Sequence, residues 1–171
     1  MIDRTAFRSL SYGLYIVTAK SESTRAGCVV NTFAQVTSQP AQVGVAINKE
    51  NVTAQVIEEA GVFEVSVLAQ DAPMVLIGRF GFRSSADYDK FAETETAVDE
   101  RGIPYVTEHT VAHFLVEVAQ TLDLGSHRYF VGQVVDASVL DQAEPLTYSY
   151  YQKVKGGKTP PKASGYEGPS A

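Results

Sequence analysis

The chain has 171 residues, 44% of them hydrophobic, a formal net charge of −6 and an isoelectric point near 5.0. That length and apolar content suit one domain with a sizeable core and argue against disorder. The acidic balance argues against a nucleic-acid binder, which needs a basic face.

Met1-Ile-Asp-Arg4 lacks the basic start and apolar core of a signal peptide. No apolar run approaches the roughly 20 residues of a membrane span. A single cysteine, Cys28, cannot form an internal disulfide and points to a reducing compartment. The expectation is a cytoplasmic, soluble protein. Asp3 can cap a short helix from Arg4 to Leu10, with Phe7 and Leu10 on one face, broken by Gly13. Leu14 to Thr18 is a predicted strand, and Ser21 to Arg25 a polar turn.

The stretch Ala26 to Thr53 reads as strand, turn, strand and helix start. Val29, Val30, Phe33 and Val36 mark the first strand, Ser38-Gln-Pro40 the turn, and Val43 to Ile47 the second strand. Asn51 opens a helical pattern, Val52 to Ala60, closed by Gly61. Asn31, Thr32, Thr37, Ser38, Asn48, Asn51 and Thr53 are neutral donors or acceptors around one lysine, Lys49. They sit at strand ends and at a helix N-terminus. Such a set suits a neutral heterocycle carrying one phosphate: amides and hydroxyls for ring edges, helix N-terminus and ammonium for the anion. The same residue types also cap and turn chains with no ligand at all, and the pattern leaves both readings open.

Val62 to Leu68 alternates as a half-buried strand, and Asp71 with Pro73 starts a helix that stops near Gly78 and Gly81. Arg79 to Pro104 has no clean period and reads as a loop with a short helical turn, in which Arg79, Phe82 and Arg83 could cover a pocket. Val111 to Leu122 and His127 to Leu140 are long strands joined by a hairpin bending at Gly125. Leu146 to Tyr151 reads as a last aromatic strand. Residues 1–152 then form the domain, and 153–171, rich in Pro, Gly, Lys and Ser, an extended tail. Six or more strands with few helices and no βαβ alternation predict a mainly β fold with short helices, an antiparallel barrel.

Several chemistries lack support. No Gly-x-Gly-x-x-Gly follows a strand, and no Gly-x-Ser-x-Gly elbow is present. Gly157-Lys-Thr159 resembles the end of a phosphate loop, but Gln152 stands where the earlier glycine is required. His109, His113 and His127 lack the spacing of a metal set. By position alone, His127 is a histidine at a turn and Cys28 a small buried hydrophobe.

Ala26-Gly-Cys-Val-Val-Asn-Thr-Phe-Ala-Gln-Val-Thr-Ser-Gln-Pro40 resembles the signature of the flavin reductase-like, FMN-binding split-barrel family. Val43 to Lys49, Ile77 to Arg83, Asp89 to Phe91, Gly125 to Val134 and Pro145 to Tyr151 resemble its later segments in order. A closer likeness is to the flavin domain of high-molecular-weight rubredoxins. The sequence carries no Cys-x-x-Cys pair and cannot itself hold a rubredoxin-type iron, so the expectation is a separate acceptor protein, a piece of a longer chain, or a stand-alone reductase. The resemblance implies a split β-barrel, a homodimer with FMN near the subunit interface, NADH or NADPH as donor, and rubredoxin or another protein as electron acceptor. It implies that Cys28, Val30, Asn31 and Thr32 line the isoalloxazine, with Phe82 and Arg83 in the neighbouring loop. Thr37 and Ser38 then lie near the ribityl phosphate, Asn48, Lys49, Asn51 and Thr53 hold that phosphate, and His127 lies by the ring and the nicotinamide. The implied activity is an FMN-dependent NAD(P)H oxidoreductase. An FMN carrier reduced by a protein partner, and a split-barrel module without flavin, are the alternatives.

Overall fold

A computed structural model of the chain describes residues 1–166. In chain order the strands are β1 (Tyr15–Lys20), β2 (Arg25–Val30), β3 (Ala34–Ser38), β4 (Ala41–Asn48) and, after helix α1 (Val52–Ala60), β5 (Val62–Leu68). Helix α2 (Met74–Gly81) follows, then β6 (Thr96–Val98), β7 (Pro104–Val106), β8 (Thr110–Asp123), β9 (His127–Val139) and helix α3 (Tyr148–Lys153). Seven strands form one antiparallel sheet in the order β2-β1-β5-β8-β9-β4-β3, and β6 pairs with β7 apart from it.

The order explains the shape. β2 and β3 stand at opposite edges of the sheet, yet only Asn31, Thr32 and Phe33 join them. The sheet must therefore curl until its edges meet. Thr32 fastens the meeting point: its Oγ1 donates to the Ala46 carbonyl at 2.7 Å and accepts from the Ala46 N–H at 3.3 Å, on β4. Phe33 fills the seam, edge-on to Tyr15 at 5.1 Å and tilted against Phe114 at 5.7 Å. The result is a barrel with one unpaired seam, the split barrel expected from the sequence.

Two apolar clusters flank the sheet. Inside, α1 lays Ala54, Val56 and Ile57 against Val17, Cys28, Val45, Ile47, Phe63 and Phe130. The Asn51 side chain accepts from the Thr53 N–H at 3.0 Å, and Gly61 ends α1 in the left-handed region at φ 68°. Outside, α2 and the loop after it bury Leu76, Ile77, Phe80 and Phe91 against Leu14, Ile16 and Val29. A fully buried side chain such as Phe63 or Phe130 contributes roughly 1.5–3 kcal/mol over an exposed one.

Four local expectations need correction. The first helix is a 3₁₀ turn, Arg4–Ser9, that buries nothing, and Phe7 and Leu10 are exposed. The strand expected through Val29–Val36 stops at Val30 and restarts at Ala34, because the chain there crosses the seam. The loop after α2 contains the β6–β7 hairpin. It is also tied down by polar bonds: Lys90 donates to the Gly27 carbonyl at 2.6 Å, and Arg79 to the Glu93 carbonyl at 2.7 Å. The aromatic strand expected over 146–151 is mostly helix α3. Thr147 caps it by accepting from the Tyr150 N–H at 3.1 Å, and Tyr148 and Tyr151, three apart, stack on one face.

Candidate functional site

The seam leaves a cleft with about 710 Å³ of empty space, partly open to solvent. Its floor comes from the end of β2, which delivers Cys28, Val30 and Asn31, and from the crossing residue Thr32. One wall comes from the β4–β9 pairing, whose register sets Asn48 directly opposite His127. Asn51, the cap of α1, brings the helix N-terminus to the same wall. Phe82, just past α2, adds an apolar lip.

The side chains differ sharply in charge and freedom. Cys28 is buried, and burial pushes its thiol up, so it stays a neutral, unreactive wall atom. His127 is half-buried, and burial lowers its imidazole below the ordinary value. Its Nδ1 is paired with the Ser126 hydroxyl at 2.8 Å, which leaves Nε2 as the ring nitrogen free for the cleft. Asn48 Oδ1 accepts from the Glu50 N–H at 3.0 Å. Among the described residues no carboxylate lines the cleft, although the chain is acidic, and the lysines that line it are Lys158 and Lys162. At the first turn of α1, Thr53 Oγ1 is buried without a hydrogen-bond partner.

A site of this composition offers neutral amide and hydroxyl groups beside apolar surface, with positive charge and a helix N-terminus at one end. That donor set fits a flat, uncharged heteroaromatic ring carrying an anionic arm. Among the described residues, no group of three His, Cys, Asp or Glu side chains is placed to hold a metal ion.

The family pattern described as flavin reductase like domain matches residues 7–157. The chain belongs to the flavin reductase-like family. It is 47% identical over 165 residues to a ferric-chelate reductase (NAD(P)H) of Archaeoglobus fulgidus, covering 96% of this chain and 98% of that one. It is 46% identical over 162 residues to a high molecular weight rubredoxin of Moorella thermoacetica, covering 95% and 71% of the two chains. Among solved structures, the NADH:FAD oxidoreductase SgcE6 of Streptomyces globisporus C-1027 superposes with a TM-score of 0.75 at 25% identity. That match covers 84% of this chain and 85% of the other.

Within this flavin reductase-like fold, the residues expected from the sequence divide in two. Cys28, Val30, Asn31, Thr32, Asn48, Asn51, Phe82 and His127 come together around the cleft. Five others do not line it. Thr37 and Ser38 lie on exposed edge strand β3, where Thr37 donates to the Pro40 carbonyl at 2.5 Å. Lys49 reaches the other way, to Asp123 at 2.7 Å. Thr53 is covered inside the first turn of α1. Arg83 stacks its guanidinium over Tyr88 at 4.4 Å.

The sequence reading missed the opposite wall of this flavin reductase-like site. Tyr148 and Tyr151 of α3 line it, and residues 158–164, read from the sequence as part of an extended tail, lie across its mouth. A signal was present in the sequence: tyrosines three apart after a capping threonine, followed by Gly156-Gly157.

Proposed function

We propose that this chain is an FMN-dependent NAD(P)H oxidoreductase that passes electrons to a separate acceptor. The observation that carries the reading is the cleft itself, which gathers Asn31, Thr32, Asn48, Asn51 and His127 along one seam of a flavin reductase-like domain. A bound flavin supplies acceptance of a hydride from reduced nicotinamide and its onward passage as electrons. The chain's own residues bind, orient and shield. Asn31, Thr32 and Asn48 offer hydrogen bonds to ring edges, and Val30 and Phe82 offer apolar contact to ring faces. The α1 N-terminus with its Asn51 cap, together with Lys158 and Lys162, favours a phosphate. His127, neutral and fixed through Nδ1 by Ser126, offers its other ring nitrogen to the cleft as a hydrogen-bonding group.

The ferric-chelate reductase likeness supports nicotinamide as donor, and the rubredoxin likeness supports a protein acceptor such as rubredoxin. That second likeness also favours an alternative, an FMN carrier reduced by a partner protein. A homodimer and a cytoplasmic location belong to the same reading. Val36 on β3, Leu122 on β8, and Val135 and Val139 on β9 are exposed apolar side chains that a second copy could cover. No helix among the described residues is long and apolar enough to cross a membrane.

Two measurements test this. Purified protein should be yellow, with FMN as the flavin released on denaturation. Colourless protein that takes up no flavin would end the reading. Sedimentation at micromolar concentration should give twice the chain mass, and a flavin-loaded monomer would remove the shared-interface part alone.

A further inference from the structure

The matched family segment ends at residue 157, and the chain beyond it turns back over the cleft. We infer that residues 158–164 form a retaining strap that walls in a phosphorylated flavin and makes it a resident cofactor rather than an exchanging substrate. This rests on the flavin reading above.

The return is built into the sequence. Gly156 adopts φ 66°, in the left-handed region, just past α3. Gly157 donates its N–H to the Tyr151 carbonyl at 2.9 Å and lies so close that a Cβ there would run into the Tyr151 ring. The strap is then tied down along its length by groups that also line the cleft. Tyr151 Oη donates to the Lys158 carbonyl at 2.9 Å, and Tyr148 Oη pairs with the Thr159 hydroxyl. Asn48 Nδ2 donates to the Lys162 carbonyl at 3.2 Å, and Ser164 Oγ to Asn31 Oδ1 at 3.3 Å. The ion pair of Lys162 with Glu50 at 2.6 Å is exposed and adds little.

Two consequences follow from these ties. The Asn48 and Asn31 side chains, proposed to face the flavin, are oriented by the strap, so strap and ligand order the same groups. The strap also carries Lys158 to the cleft, while Lys162 is paired with Glu50 and Lys49 with Asp123. Closing the strap therefore brings positive charge to the site of an anionic arm, and a ligand so enclosed leaves only when the strap lifts.

Gly157→Val in the full chain tests this, because it obstructs the return without removing a group proposed to touch flavin. FMN release is followed by the recovery of flavin fluorescence on dilution. Trypsin cleavage after Lys158 and Lys162 is followed in parallel by mass spectrometry. Where Gly157→Val does not fold, Thr159→Val combined with Ser164→Ala replaces it, removing the side-chain ties to Tyr148 and Asn31 while keeping both lysines. The strap predicts FMN release faster by roughly tenfold, the worth of about one lost hydrogen bond, together with faster cleavage in the variant. Equal release rates for variant and parent would overturn the strap while leaving the flavin reading intact. A parent protein that binds no flavin would overturn the flavin reading, and the retention role with it.

Discussion

His127 sits where β4 and β9 meet, opposite Asn48, and Ser126 fixes its Nδ1. A side chain held by its neighbour and kept neutral by burial is suited to positioning a ligand through a hydrogen bond. His127→Ala should slow flavin reduction by roughly 100-fold if a proton is supplied there, and less if only position is lost. Flavin should stay bound. Rapid mixing with reduced nicotinamide checks this, and an unchanged rate would return His127 to the role of a histidine at a turn. The residues at the end of β2 were readable because the sequence Val30-Asn-Thr-Phe33 concentrates amide and hydroxyl groups where a strand stops. Lys49 was not. Asp123, far along the chain, holds both Lys49 and Arg128, and the Lys49 ammonium is the first cause keeping that carboxyl well below the usual range. A partner 74 positions away leaves no local mark in the sequence.

At the scale of elements, the β6–β7 hairpin was invisible in a segment without period, and its anchoring explains why it forms. Ser66 of β5 accepts from the Val106 N–H at 3.0 Å, and Tyr105 stacks on His113 of β8 with ring centroids 4.2 Å apart. Beneath them Glu64 is fully buried, 3.2 Å from His113 Nδ1, and bonded to Asp99 in the hairpin's turn. Burial, then the charges of Asp99 and Asp136, push the Glu64 carboxyl from 4.5 up to about 8, so it is protonated at neutral pH. A proton on Oε1 then satisfies both that atom and Asp99 Oδ2, each otherwise without a partner. The folded state keeps this proton while the unfolded chain loses it. Its stabilisation is therefore complete below pH 4.5 and is lost as pH rises to about 8. His113, lowered chiefly by burial, acts in the opposite sense: its contribution is present above the ordinary histidine value and falls away in acid. Glu64→Gln leaves His113 in place, so the difference between the two proteins isolates Glu64. The melting temperature of the parent should fall relative to Glu64→Gln between pH 4.5 and about 8. Parallel curves would show that Glu64 is ionised in the fold.

For the whole molecule, β1, β4, β5, the long β8–β9 hairpin and the α1 boundaries were legible, because alternation, Asn51 and the closing Gly61 act locally. Closure of the sheet could not be read from any one segment, since it depends on three residues joining opposite edges. The same holds for α3 and the strap: aromatic residues favour strands, and here a threonine cap and stacking against the cleft overrule that preference. The seam, the wall of α3 and the strap together line one site, whose proposed role is to take electrons from a nicotinamide through a flavin. Anaerobic stopped-flow mixing of the FMN-loaded protein with NADH, and separately with NADPH, tests this most directly. The visible flavin absorbance should bleach with at least one donor, to an extent that matches the bound flavin. Bound flavin that bleaches with neither donor, but is reduced by a protein such as rubredoxin or ferredoxin, would contradict the oxidoreductase and leave an electron carrier in its place.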